Sequence, residues 1–545
     1  MRGASVMTSQ ELVTAAVALK AGRWDEAAAG FADVIAHTDD PQAHDGLAQV
    51  AWWRDDADTT LAEREAAYRG FRAAGDQRAA ALVAATLGYD AVLFGQGVPV
   101  GRGWLARAAE LLAGDDDLPE AGWLAARNAE VALHVDRLAR AGLEQARVAE
   151  AVGRTTGDGD LVAVGQALAG LALVRLGDVT SGMALLDAAA GAATAGDIDD
   201  LMWMGKICCW LINACQDAHD LARAATWCAR VEEICTRHDL APLFSVCRIQ
   251  WASVQLAKGE CVEAEATLTG VLQDLERSKR GARLEAVAHL GELRRRQGRF
   301  EEAETLLAQA GFQSDAMISR CRLQLDQGDP ERAWSTVNAL LRGLSPDQHL
   351  ERAEVLAVLV EAGAATGRAD EARAAATELG AVADEVGTDA LRSMRAAAQA
   401  RLAPDDARAV APWQDAVRYA AAAGLGFDEA EHRLEYAARL HALGDRKGVF
   451  DQARRALDLL APLGSGPGID RARILLRGGD TDIPLSQRQV DVLRLLARGL
   501  SNADIAAALF LSEHTVHRHV ANIYTALNVS SRAAAATYAA SRGIS

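Results

Sequence analysis

Residues 485–545 read LSQRQVDVLRLLARGLSNADIAAALFLSEHTVHRHVANIYTALNVSSRAAAATYAASRGIS, and their helix punctuation is dense. Ser486, with Gln489 three residues on, forms a capping-box pair ahead of the apolar run Val490, Leu493, Leu496 and Ala497. Gly499 stands where a helix ends in a left-handed residue. Ser501 with Asp504 opens a second, short helix carrying Ile505, Ala506 and Leu509. Ser512 opens a third helix; Ser530 or Ser531 opens a fourth, which Gly543 closes.

The second and third helices, with Phe510 and Leu511 at the turn, have the spacing of a helix-turn-helix unit. On the third helix Val516, Val520, Ile523 and Leu527 recur at helical spacing and are expected to face a small core. His514, Arg518 and Ala521 then point away from it, with Thr515, His517, His519 and Asn522 on the flanks. A helix that exposes His, Arg, Asn and Thr, with no acidic residue after Glu513, suits a DNA major groove. Spacing alone equally describes a four-helix packing module with a polar face.

The pattern LS-R-VDVLRLLARGLSNADIA-LFLSEHTV-H, then I-Y, then L-VSSR, resembles the LuxR-type C-terminal DNA-binding domain across all four helices. The resemblance implies a transcription regulator whose third helix enters the major groove and whose fourth helix can pair two domains. The expected DNA-binding residues are Ser501, Asn502, Ser512, Thr515, Val516, His517, Arg518, His519 and Asn522. Ser512 and Thr515, near the helix start, suit phosphate, and Arg518 suits a base edge. The chain departs from the family at Gln489, usually Glu, and at His517 and Ala526, commonly Lys.

At 545 residues the chain exceeds one ordinary domain, and its net charge of −18 is unevenly spread. From Thr481 onward six arginines face Asp482, Asp491, Asp504 and Glu513, so the tail carries +2 and the rest −20. The acidic part is repelled by DNA and is expected to work elsewhere. A tail of only +2 points to a homodimer when DNA-bound, with salt-sensitive affinity. No secretory signal is visible in MRGASVMTSQ, and the longest nearly apolar run, Leu161 to Val174, is too short to span a bilayer. A soluble, cytoplasmic protein with no membrane partner is the expectation.

Residues 1 to about 460 are rich in the helix formers Ala, Leu, Glu and Arg and hold no run of alternating β-branched residues. Gly22-Arg-Trp-Asp-Glu-Ala27 followed by Phe31, and Gly298-Arg-Phe-Glu-Glu-Ala303, match the tetratricopeptide turn and second helix. Weaker copies begin at Gly259, Gly328 and Gly367, further turns at Gly177 and Gly444, and fainter ones near Asp56, Gly97, Asp136, Asp217 and Pro404. These marks step by 34, 41, 39, 41, 40, 42, 39, 30, 39, 37 and 40 residues, about one helix pair per step. The Ala after each turn is expected where two helices approach closely. The region resembles the tetratricopeptide-like sensor found ahead of LuxR-type domains in large regulators, which implies an effector, small molecule or protein, bound on the repeats.

The expected fold is all-α: a tetratricopeptide-like helical-repeat solenoid followed by a small four-helix helix-turn-helix domain. Its expected limits are residues 1–460 for the repeats, 461–483 for a Gly/Pro-rich linker around Pro462-Leu-Gly-Ser-Gly-Pro-Gly468, and 484–545 for the DNA-binding domain. No Gly-x4-Gly-Lys-Ser/Thr pattern occurs, and GQGVPVGRG at 95–103 reads as an inter-repeat loop. All eight cysteines lie between Cys208 and Cys321 without a C-x-x-C pair; they read as packed, reduced thiols rather than metal ligands. Beside them, Met202, Trp203, Met204, Trp210 and Trp227 read as core or as an effector pocket. No catalytic constellation, cofactor motif or metal site stands out, so the expected function is transcription regulation and not an enzyme. The rival reading is an interaction scaffold whose tail only pairs chains.

Overall fold

The computed structural model describes residues 2–541 apart from 116, 239–240, 277, 279, 347, 405–406, 480–484, 486, 510, 528 and 530. Among the described residues every regular element is helical. The first four pairs are α1 (Arg2–Lys20) with α2 (Trp24–Thr38), α3 (Pro41–Trp53) with α4 (Ala57–Ala74), α5 (Gln77–Leu93) with α6 (Val98–Leu111), and α7 (Pro119–His134) with α8 (Ala139–Thr156). The next four are α9 (Gly159–Arg175) with α10 (Val179–Ala195), α11 (Leu201–Asp217) with α12 (Leu221–His238), α13 (Ala241–Lys258) with α14 (Cys261–Asp274), and α15 (Ala282–Arg296) with α16 (Phe300–Gln309). The last four are α17 (Ser314–Asp326) with α18 (Pro330–Gly343), α19 (His349–Ala365) with α20 (Ala369–Val386), α21 (Asp389–Leu402) with α22 (Val410–Ala422), and α23 (Gly426–Ala442) with α24 (Arg446–Leu460).

Local chemistry sets this repeat. The turn glycines Gly22, Gly177, Gly259, Gly298, Gly328, Gly367 and Gly444 all have φ between 71° and 95°, where a Cβ is strained. Asp178, Asp329 and Asp445 follow such glycines, and Asp56 follows the left-handed Asp55; each caps the second helix and accepts a backbone N–H at 3.0–3.1 Å. The small residues after the turns, Ala27, Ala264, Ala303, Ala333 and Ala372, are fully buried. Each first helix packs on its own partner, and most pack on the first helix of the next pair, so α9, α11 and α19 are buried over most of their surface. Second helices such as α8 and α18 bury one stripe only.

The solenoid is wound tightly enough for distant pairs to touch. Arg280, just ahead of α15, donates to Asp55 and to the Trp52 carbonyl at the end of α3, both at 2.6 Å. Arg137 between α7 and α8 pairs with Glu351 of α19 at 3.0 Å, and Ser465 donates to the Gln297 carbonyl at 3.1 Å.

That last contact bears on the connector. Residues 461–463 form a 3-10 turn, Leu463 is buried, and Pro467–Gly479 form a further helix, α25, packed on α23 and α24. Ile469 and Ala472 of α25 belong to the same apolar cluster as Leu434 and Leu460. A Cβ on Gly466 would stand 2.2 Å from the Arg296 carbonyl oxygen, so the glycine there permits close packing. Only the end of the expected 461–483 linker, residues 480–483, lies outside the described residues. The GQGVPVGRG segment is likewise turn only as far as Gly97; Pro99 lies in the first turn of α6, which crosses α5 at Gly101, where a Cβ would meet the Gly88 carbonyl oxygen at 2.5 Å.

The seven cysteines with described side chains, including Cys209 and Cys247 at 3.5 Å, are buried and unbridged; Cys235 lies outside them. The tail contributes α26 (Gln487–Ala497), α27 (Asn502–Leu509), α28 (Glu513–Leu527) and α29 (Arg532–Ser541), which share one apolar core of their own.

Candidate nucleic-acid interface

The tail core is built by Val492, Leu493 and Leu496 from α26, Ile505 and Ala506 from α27, Val516, Val520 and Ile523 from α28, and Ala535 and Ala539 from α29. Gly499, with φ 86°, ends α26 as its spacing predicts. Ser501 and Asp504 make a reciprocal capping box. The Ser501 hydroxyl donates to the Asp504 carboxylate at 2.6 Å and accepts the Asp504 N–H at 3.2 Å, and the Ser501 N–H donates back at 3.2 Å. The Ser501 donors hold the Asp504 carboxyl below the usual carboxylate range. The Leu511 N–H closes the turn on the Ala506 carbonyl at 2.9 Å. Ser512 then caps α28: its hydroxyl accepts the Thr515 N–H at 3.1 Å and lies 2.7 Å from the Thr515 hydroxyl. Ser531 caps α29 through the Ala534 N–H at 3.2 Å. Ser486, Phe510, Ser530 and Gly543 fall outside the described residues.

Two arginines tie the helices and turns of the motif together. Arg488 of α26 donates to the Leu509 carbonyl at 2.6 Å, at the end of α27. Arg532 of α29 donates to the Leu500 carbonyl and, at 3.2 Å, to the Asn502 side-chain oxygen. Neither was in the expected contact set, because a donor to a backbone carbonyl has no partner residue type to betray it. Both stand in the resemblance pattern, as the R of LS-R and of VSSR, and that was the available signal.

Most of the expected DNA-binding residues come together on one side. Ser512, His514, His517, Arg518, Ala521, Asn522 and Thr525 are exposed along α28, and Thr515 and His519 are half-buried at its edges. Ser501 is exposed and Asn502 half-buried at the start of α27. Val516 is the exception. Its side chain has no exposure and packs in the core with Val520 and Ile523, so it shapes the helix and offers nothing to a groove.

A model of the luxR family of bacterial regulatory proteins matches residues 483–539. Those residues are a LuxR-family helix-turn-helix domain. The Fimbriae Z protein of Salmonella typhimurium is 51% identical to this chain over 55 residues, 10% of this chain and 26% of that protein. The nitrate/nitrite response regulator NarP of Escherichia coli is 53% identical over 51 residues, 9% and 24% of the two chains. A nitrate/nitrite response regulator homolog of Haemophilus influenzae is 49% identical over 65 residues, 11% and 31%. The chain thus spans only about a quarter to a third of the length of these relatives. Over the whole chain, a chain of the APC/C hetero-tetramer Cut9–Hcn1 aligns with 87% of this protein and 94% of its own length, at TM-score 0.43 and 14% identity.

The arginines divide by role in the LuxR-family domain. Arg488 and Arg532 serve backbone carbonyls, and Arg494 pairs with Asp491 at 3.5 Å. Arg498 and Arg518 are exposed with no side-chain hydrogen-bond or ion-pair partner among the described residues, and of the two Arg518 lies on α28.

Proposed function

We propose that this chain is a DNA-binding transcription regulator whose helix α28 reads the major groove. The observation that carries the reading is the unpartnered Arg518 guanidinium, exposed between His514, His517 and Asn522 on the outward side of a helix-turn-helix. A guanidinium there can donate two hydrogen bonds to guanine O6 and N7. Ser512 and Thr515, at the N-terminus of α28, suit a phosphate, which the helix end also favours. Ser501, Asn502, His517, His519 and Asn522 complete the proposed contact set. The curated relatives of the domain carry regulator names, which supports this reading.

In this proposal the chain acts in the cytoplasm as a dimer on double-stranded DNA, and the solenoid binds an effector that controls it. No helix among the described residues is long and apolar enough to cross a membrane. We place the repeat unit at residues 1–479 rather than 1–460, because α25 is packed into it, and the DNA-binding unit from 484 onward. Selection of duplexes from a random pool by the intact protein tests the reading. A recurring sequence, lost on Arg518→Ala, is expected; a pool that stays random after repeated rounds would refute it.

A further inference from the structure

Between α3, α5, α7 and α11 lies a cavity of about 310 Å³, within the size range of small-molecule sites. Its apolar walls are the indoles of Trp52, Trp53, Trp123 and Trp203. Trp123 and Trp203 stack at 5.0 Å, and Trp52 and Trp53 meet edge to face at 5.0 Å. Trp52 is 3% exposed, and its indole N–H has no hydrogen-bond partner among the described residues.

The charges around the cavity are unbalanced. Both arginines in its wall are already engaged, Arg64 with Asp45 and Asp90, and Arg127 with the buried Glu130 at 2.7 Å. Glu130 is shared with the buried Lys206 at 2.5 Å, so that cluster is satisfied within the fold. On the other wall Asp158, Asp160 and Asp200 have no Lys, Arg or His partner among the described residues. They hold only neutral donors. Asp158 accepts the Trp123 indole N–H at 3.0 Å, and Asp160 accepts the backbone N–H of Asp199 and Asp200 at 3.1 and 3.2 Å. Burial above all, with the carboxylates of Asp199 and Asp200 adding, raises the Asp160 carboxyl above its usual range.

We infer that this cavity binds a small organic cation: an ammonium group against Asp158, Asp160 and Asp200, and an aryl or alkyl body against the indole walls. Arg127 already lies over the Trp203 ring at 4.3 Å and Arg280 over that of Trp52 at 4.2 Å, so the indoles serve the ligand as apolar walls, and an ammonium brings the positive charge that the three carboxylates lack. An anion is repelled by the same wall. The site stands on its own geometry; only its role as the effector site rests on the regulator reading.

Calorimetric titration of the intact protein without DNA separates the two. The probes are tyramine, tyrosol and 4-hydroxyphenylacetate, which share a phenol and end in an ammonium, a hydroxyl and a carboxylate. Tyramine is expected to bind saturably and at least about tenfold more tightly than either counterpart. The double substitution Asp160→Asn with Asp200→Asn removes two of the three charges; each Asn keeps one acceptor oxygen, so position 160 loses one of its two bonds to the backbone N–H groups of Asp199 and Asp200. It is expected to lower the melting temperature modestly while the chain stays folded, and to remove most of the preference for tyramine over tyrosol. The inference is overturned if tyramine gives no saturable heat at millimolar concentration, or if tyrosol or the acid binds as well. It is equally overturned if the folded double variant keeps the full preference. Should the variant fail to fold, the three probes on the parent still decide.

Discussion

At the scale of single residues, α28 separates into atoms that build the helix and atoms left over for a partner. Ser512 builds: its hydroxyl satisfies the Thr515 N–H, so Ser512→Ala is expected to cost about 1 kcal/mol of local stability. Faster hydrogen exchange at residues 513–516, with α26 unchanged, would show it; unchanged exchange would mean that the cap contributes nothing. Thr515 lies beside that cap and is proposed to meet phosphate, so Thr515→Ala is expected to weaken selected and random duplexes by similar factors in a binding titration. A loss confined to the selected duplex would make Thr515 a base reader. Much of this face was legible in the sequence, since Val516, Val520 and Ile523 at helical spacing leave Arg518 outward. Val516 stands in the expected contact set, yet its own periodicity places it on the core face, where it is buried.

At the scale of elements, the turns are the most legible feature because their causes are local. A left-handed residue favours glycine, though Asp55, Arg137 and His219 also adopt that backbone here, and a close helix crossing favours alanine, so the strong turn marks fall between paired helices. Contacts made by tertiary packing left no such trace. The Gly/Pro composition of residues 462–468 is a local cue for a linker, yet Leu463 and Ile469 are buried against helices far away in sequence. Arg280 reaches Asp55 across 225 positions, and nothing near either residue announces it. Arg532 is the matching case in the tail. It ties α29 to the turn before α27, so Arg532→Ala is expected to loosen that turn and raise exchange at residues 500–505. Unchanged exchange there would show that core packing alone places α29.

At the scale of the whole molecule, buried charge sets the response to acid. Burial holds His134 down to about 3 and His432 down to about 4, so the unfolded chain takes up their protons first, and stability is lost as pH falls below 6.5. Burial raises Glu431 to about 7 and Asp315 to about 6, so the folded chain takes up those protons first, and stability is gained on the same descent. The two pairs oppose each other down to about pH 4.5. Below that, Glu292 beside Arg295 and Glu130 beside Lys206, both held below the usual range, lose their ion pairs with no offset. Urea midpoints are therefore expected to stay nearly level from pH 6.5 to about 4.5 and then to drop; a steady decline from neutrality would contradict this balance. The same surplus of acid residues, −18 in all, repels DNA, and salt screens that repulsion, so the intact chain should lose less affinity with rising salt than its phosphate contacts alone would dictate.

The central claim is that an acidic solenoid carries a DNA reader whose discrimination sits on Arg518. Its most direct test is the ratio of dissociation constants for selected and scrambled duplexes, measured at one fixed salt for the intact protein and for Arg518→Ala. The account predicts that the ratio shrinks by about 5- to 150-fold, equivalent to roughly 1–3 kcal/mol, while affinity for scrambled DNA changes little. An equal loss on both duplexes, with the ratio preserved, would make Arg518 a backbone contact and contradict the account.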